Sequence, residues 1–287
     1  MPQGSKGSEF QIRPAVAEDI PLIYQLAHLE GWNYGVDDIW VATQAMLNSF
    51  IVGIVGNQIV ACRAVTPYES FTYCSFLLVK PEFRSLGYGR QVQTMVLEQV
   101  GAGNMIVDKM PGTDRWSREH GFQSSDLFCS YHLDSHTRND VCEQSLPIFP
   151  VHSFLEDVLD YDASFFPSSR RSYMKTWLSM PHSNGVLWYD ENAVRGYGVI
   201  RKANKGYRIG PLYAENSEIA CHLFRALIAG LQNESIALSM PEQSPLTHSL
   251  VAAFQLRPTV RLQRMYSKSP LDIPYEKIAA ITNFTFG

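Results

Sequence analysis

Residues 77–90 read Leu77-Leu78-Val79-Lys80-Pro81-Glu82-Phe83-Arg84-Ser85-Leu86-Gly87-Tyr88-Gly89-Arg90. An apolar run stops at a proline and a short turn carries two glycines. Beyond it Val92, Met95, Val96 and Val100 recur at helical spacing. The segment therefore predicts a strand, a turn and a helix in direct succession. Glycines at such a junction let the backbone approach a ligand without a Cβ in the way. A helix start adds unpaired N–H groups and the positive end of its dipole. A bound pyrophosphate needs these features. A tight strand-to-helix connection with no ligand uses the same residues, so the surrounding order of elements has to decide between them.

On the N-terminal side, residues 10–13 read as a strand. The acidic opening Ala17-Glu18-Asp19 favours a helix N-terminus, with Gly31 ending that helix near residue 30. After the loop Trp32-Asn33-Tyr34-Gly35, Asp37 and Asp38 start a second helix. Two β-rich runs, 50–55 and 58–66, are joined by Gly56-Asn57, residues that tolerate the positive φ of a hairpin, and 71–80 completes a meander. On the C-terminal side follow a helix over 89–100, a strand over 104–108, a short helix over 113–120 and a strand over 122–133. This β-α-α-β-β-β-α-β-α-β order predicts an α/β (α+β) mixed sheet with helices on both faces.

The second half repeats that order after an irregular stretch with prolines at 147 and 150. The repeat also reaches individual residues. Ile106-Val107-Asp108-Lys109-Met110-Pro111 precedes a helix and then Phe122-Gln123; Ile236-Ala237-Leu238-Ser239-Met240-Pro241 precedes a helix and then Phe254-Gln255. The expected organisation is a tail over 1–9, a first domain over 10–134, a linker over 135–151 and a second domain over 152–287.

The strand ending Val79-Lys80-Pro81-Glu82-Phe83-Arg84, followed by Gly87-Tyr88-Gly89, resembles motif A of the GNAT superfamily of acyl-CoA-dependent N-acyltransferases. Glu119-His120-Gly121-Phe122 resembles that family's Gly-Phe ending. The likeness covers most of residues 10–133, and the repeated order suggests two tandem GNAT-like domains, each a mixed, mostly antiparallel sheet flanked by helices. The resemblance implies acetyl-CoA or another acyl-CoA as co-substrate and no metal. It places the pantetheine arm and acyl carbonyl on the backbone of Leu77, Leu78 and Val79. The pyrophosphate falls on the turn through Arg84, Ser85, Leu86, Gly87, Tyr88, Gly89 and Arg90, with Lys80 a solvated surface charge. The second domain departs at the same place. Tyr213-Ala214-Glu215-Asn216-Ser217 enters its helix without a glycine turn, so it reads as a non-binding copy that shapes or covers the acceptor site.

Acyl transfer to an amine needs a neutral nucleophile, a donor for the oxyanion and an acid for the thiolate. Where many GNAT enzymes carry an acidic Tyr, this chain has Ser117, far weaker as a donor; the alternative for Ser117 is an exposed helix serine. Asp108, near the end of the strand beside motif A, is one candidate base, or else a structural carboxylate. Glu30 is another, since the helix–helix loop beside it usually lines the family's acceptor pocket. Trp32, Asn33 and Tyr34 are candidate acceptor-binding residues on that loop. Cys74 reads as buried packing and His120 as an exposed helix residue.

Composition excludes other classes. In 287 residues, 45% hydrophobic and 18% charged, a net charge of −4 leaves no basic surface for a nucleic-acid backbone. No apolar run reaches the ~18 residues of a membrane span, and no signal pattern opens the chain. Five cysteines without a CxxC pair suit reduced thiols and a cytoplasmic protein. In that setting Asn283-Phe284-Thr285 is a tail sequence and not a glycosylation site. The leading expectation is an N-acyltransferase acting on a small-molecule or amino-acid amine, with a non-catalytic acyl-CoA sensor or scaffold as the alternative. A nucleotide-phosphate protein is disfavoured, because neither GxxxxGK[ST] nor GxGxxG is present.

Overall fold

The computed structural model describes residues 9–134 and 146–287. The expected tail up to residue 8, the linker over 135–145 and Cys142 lie outside the described residues. The first half runs β1 (Phe10–Pro14), α1 (Asp19–Leu29), α2 (Asp38–Ala45), β2 (Phe50–Val55), β3 (Gln58–Pro67), β4 (Thr72–Val79), α3 (Tyr88–Val100), β5 (Met105–Lys109), α4 (Arg115–Glu119) and β6 (Gln123–Leu133). The second runs β7 (Ile148–Pro150), α5 (Leu155–Asp162), α6 (Arg171–Leu178), β8 (Ser183–Asp190), β9 (Ala193–Lys202), β10 (Tyr207–Ala214), α7 (Ser217–Ile228), β11 (Ile236–Pro241), α8 (Pro245–Phe254) and β12 (Arg257–Tyr266). The two halves match element for element. A final short strand, β13 (Ile278–Ala280), has no counterpart in the first half.

Local chemistry sets these elements. Asp19 opens α1, accepts from Val16 N at 2.8 Å and pairs with Arg13 at 2.5 Å; the Arg13 bond holds its carboxyl below the usual range. Asn216 caps α7 by accepting from Ile219 N at 3.0 Å, and Ser244 caps α8 from Leu246 N at 3.2 Å. β7 falls inside the stretch expected to be linker and pairs antiparallel with β8, Ile148 opposite Trp188.

All thirteen strands form one sheet, in the order β1-β2-β3-β4-β5-β12-β6-β11-β10-β9-β8-β7, with β13 beside β10. The halves therefore do not close as two separate sheets. β12, from the second half, lies between β5 and β6 of the first, with Asp108 opposite Arg264. β6 in turn pairs with β11, with Ser130 opposite Ser239. The halves thus exchange β6 and β12. The largest core cluster joins both halves, from Tyr24 and Phe50 to Trp177 and Tyr197.

Two neighbouring strand pairs run parallel, and both come apart partway along their length. β4 and β5 are joined only from Thr72–Met105 to Cys74–Val107, after which Phe76 takes a φ of 55° and the strands part. β10 and β11 are joined from Tyr207–Ile236 to Ile209–Leu238 and then also part. Each half thus has a split between two parallel strands. Among the described residues no helix is long and apolar enough to cross a membrane.

Candidate active site

The glycine turn sits at the open end of the first split. Lys80 N still bonds Val60 O at 2.9 Å, extending the β3–β4 ladder to the start of the turn. Pro81–Phe83 make one 3-10 turn, then Ser85 at φ 64° and Gly87 at φ 85° take left-handed conformations. Only glycine adopts that φ without strain, and successive turns of this kind direct backbone N–H groups toward one point. Gly87 is the residue before α3, and no side chain caps that helix. A Cβ on Gly87 would meet nothing within 4 Å, whereas one on Gly89 would lie 3.3 Å from Val79 Cγ2. The turn is therefore open outward while α3 sits directly on the end of β4. Ser85, Leu86 and Arg90 are exposed and Leu77, Val79 and Tyr88 half-buried; the Tyr88 ring stacks on Phe10 at 4.3 Å. An uncapped helix start behind an open left-handed turn, with β4 backbone freed from β5 beside it, fits a pyrophosphate joined to an extended arm.

Arg84 links this turn to the helix–helix loop. Its Nε donates to Val79 O at 3.0 Å, and its Nη2 pairs with Glu30. Glu30 and Arg84 are thus brought together, each partly exposed. Of the loop residues expected to face an acceptor, Trp32 is 42% exposed and lies edge-on to Phe76, 5.0 Å between centroids. Asn33 is turned to the second half: Nδ2 donates to Lys205 O at 2.9 Å and Oδ1 accepts from Lys205 N at 2.9 Å. Tyr34 donates its hydroxyl to Tyr24 O at 2.9 Å, and its own carbonyl accepts from Asn204 N at 3.1 Å. The loop is docked on the β9–β10 hairpin, leaving Trp32 as its free side chain at the rim.

On one face of the sheet at the base of the split stand Tyr73, Asp108 and Arg264. Arg264 donates to both Asp108 oxygens, Nε and Nη2 each at 2.9 Å, and the Tyr73 hydroxyl donates to Asp108 Oδ2. The ion-paired side chains are 4% and 7% exposed. Burial pushes the Tyr73 phenol well up, with Asp108 adding to it; for Arg264 burial opposes the charge and Asp108 outweighs it, so its pKa rises. Asp108 thus has its lone pairs occupied by a buried cation and a phenol, an arrangement suited to holding neighbours in place. The last residues of the sequence cover this face. Ser75 Oγ donates to Thr285 O at 2.6 Å and Tyr68 to Phe286 O at 2.5 Å. Asn283, read as part of a tail sequence, is 8% exposed and donates to Tyr173 Oη at 2.7 Å.

Ser117 is fully buried on α4, contrary to an exposed helix position, and its Oγ has no hydrogen-bond partner among the described residues. Its burial follows from α4 packing Trp116 into the cluster of Cys74, Val107 and Phe122. His120 is exposed, stacked on Trp116 at 4.0 Å. Cys74 is buried at 2% exposure.

The second split is filled by the chain itself. β13 pairs with β10, Leu212 opposite Ala280 and Tyr213 opposite Ile278, and Ile281 N donates to Ser239 O of β11 at 2.9 Å. A Cβ on Gly210 would come within 2.7 Å of Thr282 O, so glycine permits this close approach. The α7 start is closed by the Asn216 cap. The two halves share a framework, but among the described residues it is the second whose split is bridged by an added strand and whose helix start is capped by a side chain. Sequence reading missed Arg264, Tyr73 and the β13 segment. Their one trace is an arginine and a tyrosine in apolar, strand-like runs.

The family model of the acetyltransferase (GNAT) domain matches residues 158–279, in the half that lacks the glycine turn. Holothin acyltransferase of Pseudoalteromonas sp. (strain SANK 73390) is 25% identical over 235 residues, covering 80% of this chain and 78% of that protein. Among solved structures, a proposed acetyltransferase from Pyrococcus horikoshii superposes with a TM-score of 0.81 at 15% identity, covering 100% of this chain and 98% of the other. A tandem GNAT protein from the clavulanic acid biosynthesis pathway superposes at 0.66 and 15% identity, covering 92% and 100%.

Proposed function

We propose that the chain is a tandem-type GNAT acyltransferase, as its similarities support, and that it moves an acetyl or other short acyl group from acyl-CoA to a primary amine of a small molecule or amino acid. The observation behind this reading is the contrast between the two splits. The first ends in an open left-handed turn and an uncapped helix; the second is occupied by β13 and closed by Asn216.

Acyl-CoA supplies an activated thioester. The freed backbone of Leu77, Leu78 and Val79 holds the arm and carbonyl in strand fashion, and the Arg84–Arg90 turn takes the pyrophosphate at the α3 start. Arg84, released from Glu30, adds a cation to a CoA phosphate. The acceptor enters past Trp32, while the buried Tyr73, Asp108 and Arg264 hold the strands at the base of the split in place. Attack by the neutral amine forms the C–N bond as the C–S bond breaks. The departing thiol is acidic enough to leave as thiolate, so water suffices as the final proton source. Asp108 is a positioning residue in this scheme, and Glu30 acts through Arg84. Because acyl-CoA is used inside the cell, the cytoplasm is the compartment this reading implies.

One observation favours a second reading, a binder that holds acyl-CoA without turnover: both carboxylates near the first split, Asp108 and Glu30, are ion-paired. Thiol release from acetyl-CoA, measured against a panel of primary amines and amino acids, separates the two. Amine-dependent release with at least one acceptor is expected. Tight CoA binding with no release from any acyl-CoA or amine would establish the binder instead.

A further inference from the structure

Under α3, on the face of the sheet away from Asp108, basic side chains meet with no acid beside them among the described residues. Arg63 on β3 is 2% exposed, and its Nε and Nη1 have no hydrogen-bond partner among the described residues. The Cys74 thiol lies within its hydrogen-bonding reach. Lys109, on the same side at the end of β5, reaches Gln93 Oε1 of α3 at 3.5 Å and is close enough to Arg63 for their charges to repel. Burial, with Arg63 adding to it, pushes Lys109 down to about 8. Burial also raises the Cys74 thiol, so it stays protonated and gives Arg63 no counter-charge. The carboxylate that Lys109 does feel, Asp108, is committed to Arg264 on the other face.

A buried guanidinium with open N–H groups is unfavourable unless an acceptor reaches it. The position shows where that acceptor comes from. Cys74–Val107 is the last pair joining β4 to β5, and Lys109 lies two residues past it, so the cluster sits at the base of the first split. Ser117, with its own buried and unpartnered hydroxyl, is on the helix whose Trp116 packs against Cys74.

We propose that Arg63 and Lys109 form an anion-accepting subsite at the base of the split, and that the acyl group this protein prefers carries a free carboxylate, as the half-thioester of a dicarboxylic acid does. The subsite rests on the reading that the split holds acyl-CoA. A carboxylate matches the guanidinium fork in a charge-assisted, bidentate way, whereas an acetyl methyl leaves both cations unanswered. In the transfer only the thioester carbon changes partners, from sulfur to the acceptor nitrogen; the amine proton goes to solvent and the distal carboxylate stays on Arg63.

The test is calorimetric titration of the full chain with CoA, acetyl-CoA, malonyl-CoA and succinyl-CoA, for wild type, Arg63→Met and Lys109→Met. The tighter of the two carboxylated thioesters should bind wild type at least about tenfold better than acetyl-CoA, because a site built to pair a polar group discriminates against its absence. That preference should fall to about twofold or less in either variant, with CoA itself bound as before. Equal wild-type affinity for acetyl-CoA and both carboxylated thioesters overturns the subsite while leaving the co-substrate reading intact. Failure of CoA itself to bind overturns the co-substrate reading. The wild-type comparison decides even if a variant fails to fold.

Discussion

Arg264 of the second half closes a bidentate ion pair on Asp108 of the first, Nε to Oδ1 and Nη2 to Oδ2 each at 2.9 Å, across 156 positions of sequence. It joins the exchanged strand β12 to β5 at the base of the first split, with its guanidinium 4.5 Å over the Phe128 ring. Removing one partner leaves an uncompensated buried charge, which costs about 3–5 kcal/mol, whereas replacing both by apolar residues can be neutral. Arg264→Met should therefore lower the stability read from urea unfolding by about that amount, and adding Asp108→Leu should recover most of it. A single-variant loss under ~1 kcal/mol, the range of exposed pairs, would show that the pair is not fully formed.

The same geometry bears on catalysis. If Asp108 holds its neighbours in place, Asp108→Asn should lower kcat with the acidic limb of the pH–rate profile unmoved. A general base would instead give a loss of about a hundredfold or more, with that limb abolished. The pH profile of kcat/KM with one accepted amine decides between them.

Ser117→Ala should be mild in rate and favourable in stability. The hydroxyl is buried without a partner, so its removal relieves a desolvation cost of order 1 kcal/mol. A serine hydroxyl is a poor proton donor to a thiolate, so kcat should fall less than about tenfold. A higher Tm with retained turnover is the expected result; an inactive, well-folded variant would make Ser117 part of the chemistry.

Much of the fold was legible because it depends on periodicity. The meander, the α3 stripe and the repeated Met-Pro and Phe-Gln landmarks are local patterns. Strand exchange is not, since the alternation that marks β6 and β12 as strands does not say which parallel edge each one joins. β7 and β13 are three residues each, too short for a period, and β7 sits among prolines. The site divides in the same way. The glycine turn is a local feature and can be read directly. The partners of Asp108 and Asn33 lie 156 and 172 positions away, so sequence could propose their chemistry but not see their bonds already made.

Lys109 makes stability depend on pH. Its folded pKa, about 8, lies below the ordinary lysine value, so between the two the unfolded chain binds more protons and stability rises with pH. Lys109→Met removes that contribution. The variant should be more stable than wild type at pH 7, by up to ~3 kcal/mol, and the difference should shrink from pH 8 toward pH 10.5. Thermal unfolding of both proteins across that range measures it. A difference that is constant with pH would mean that Lys109 is solvated.

Counting CoA molecules per chain tests the central claim most directly. Calorimetric titration should give one CoA per chain, with binding abolished in Gly87→Val, where a β-branched residue cannot hold the left-handed φ of 85°. Saturation at two CoA per chain, or unchanged affinity in a folded Gly87→Val, would contradict the assignment of the co-substrate to the first split alone.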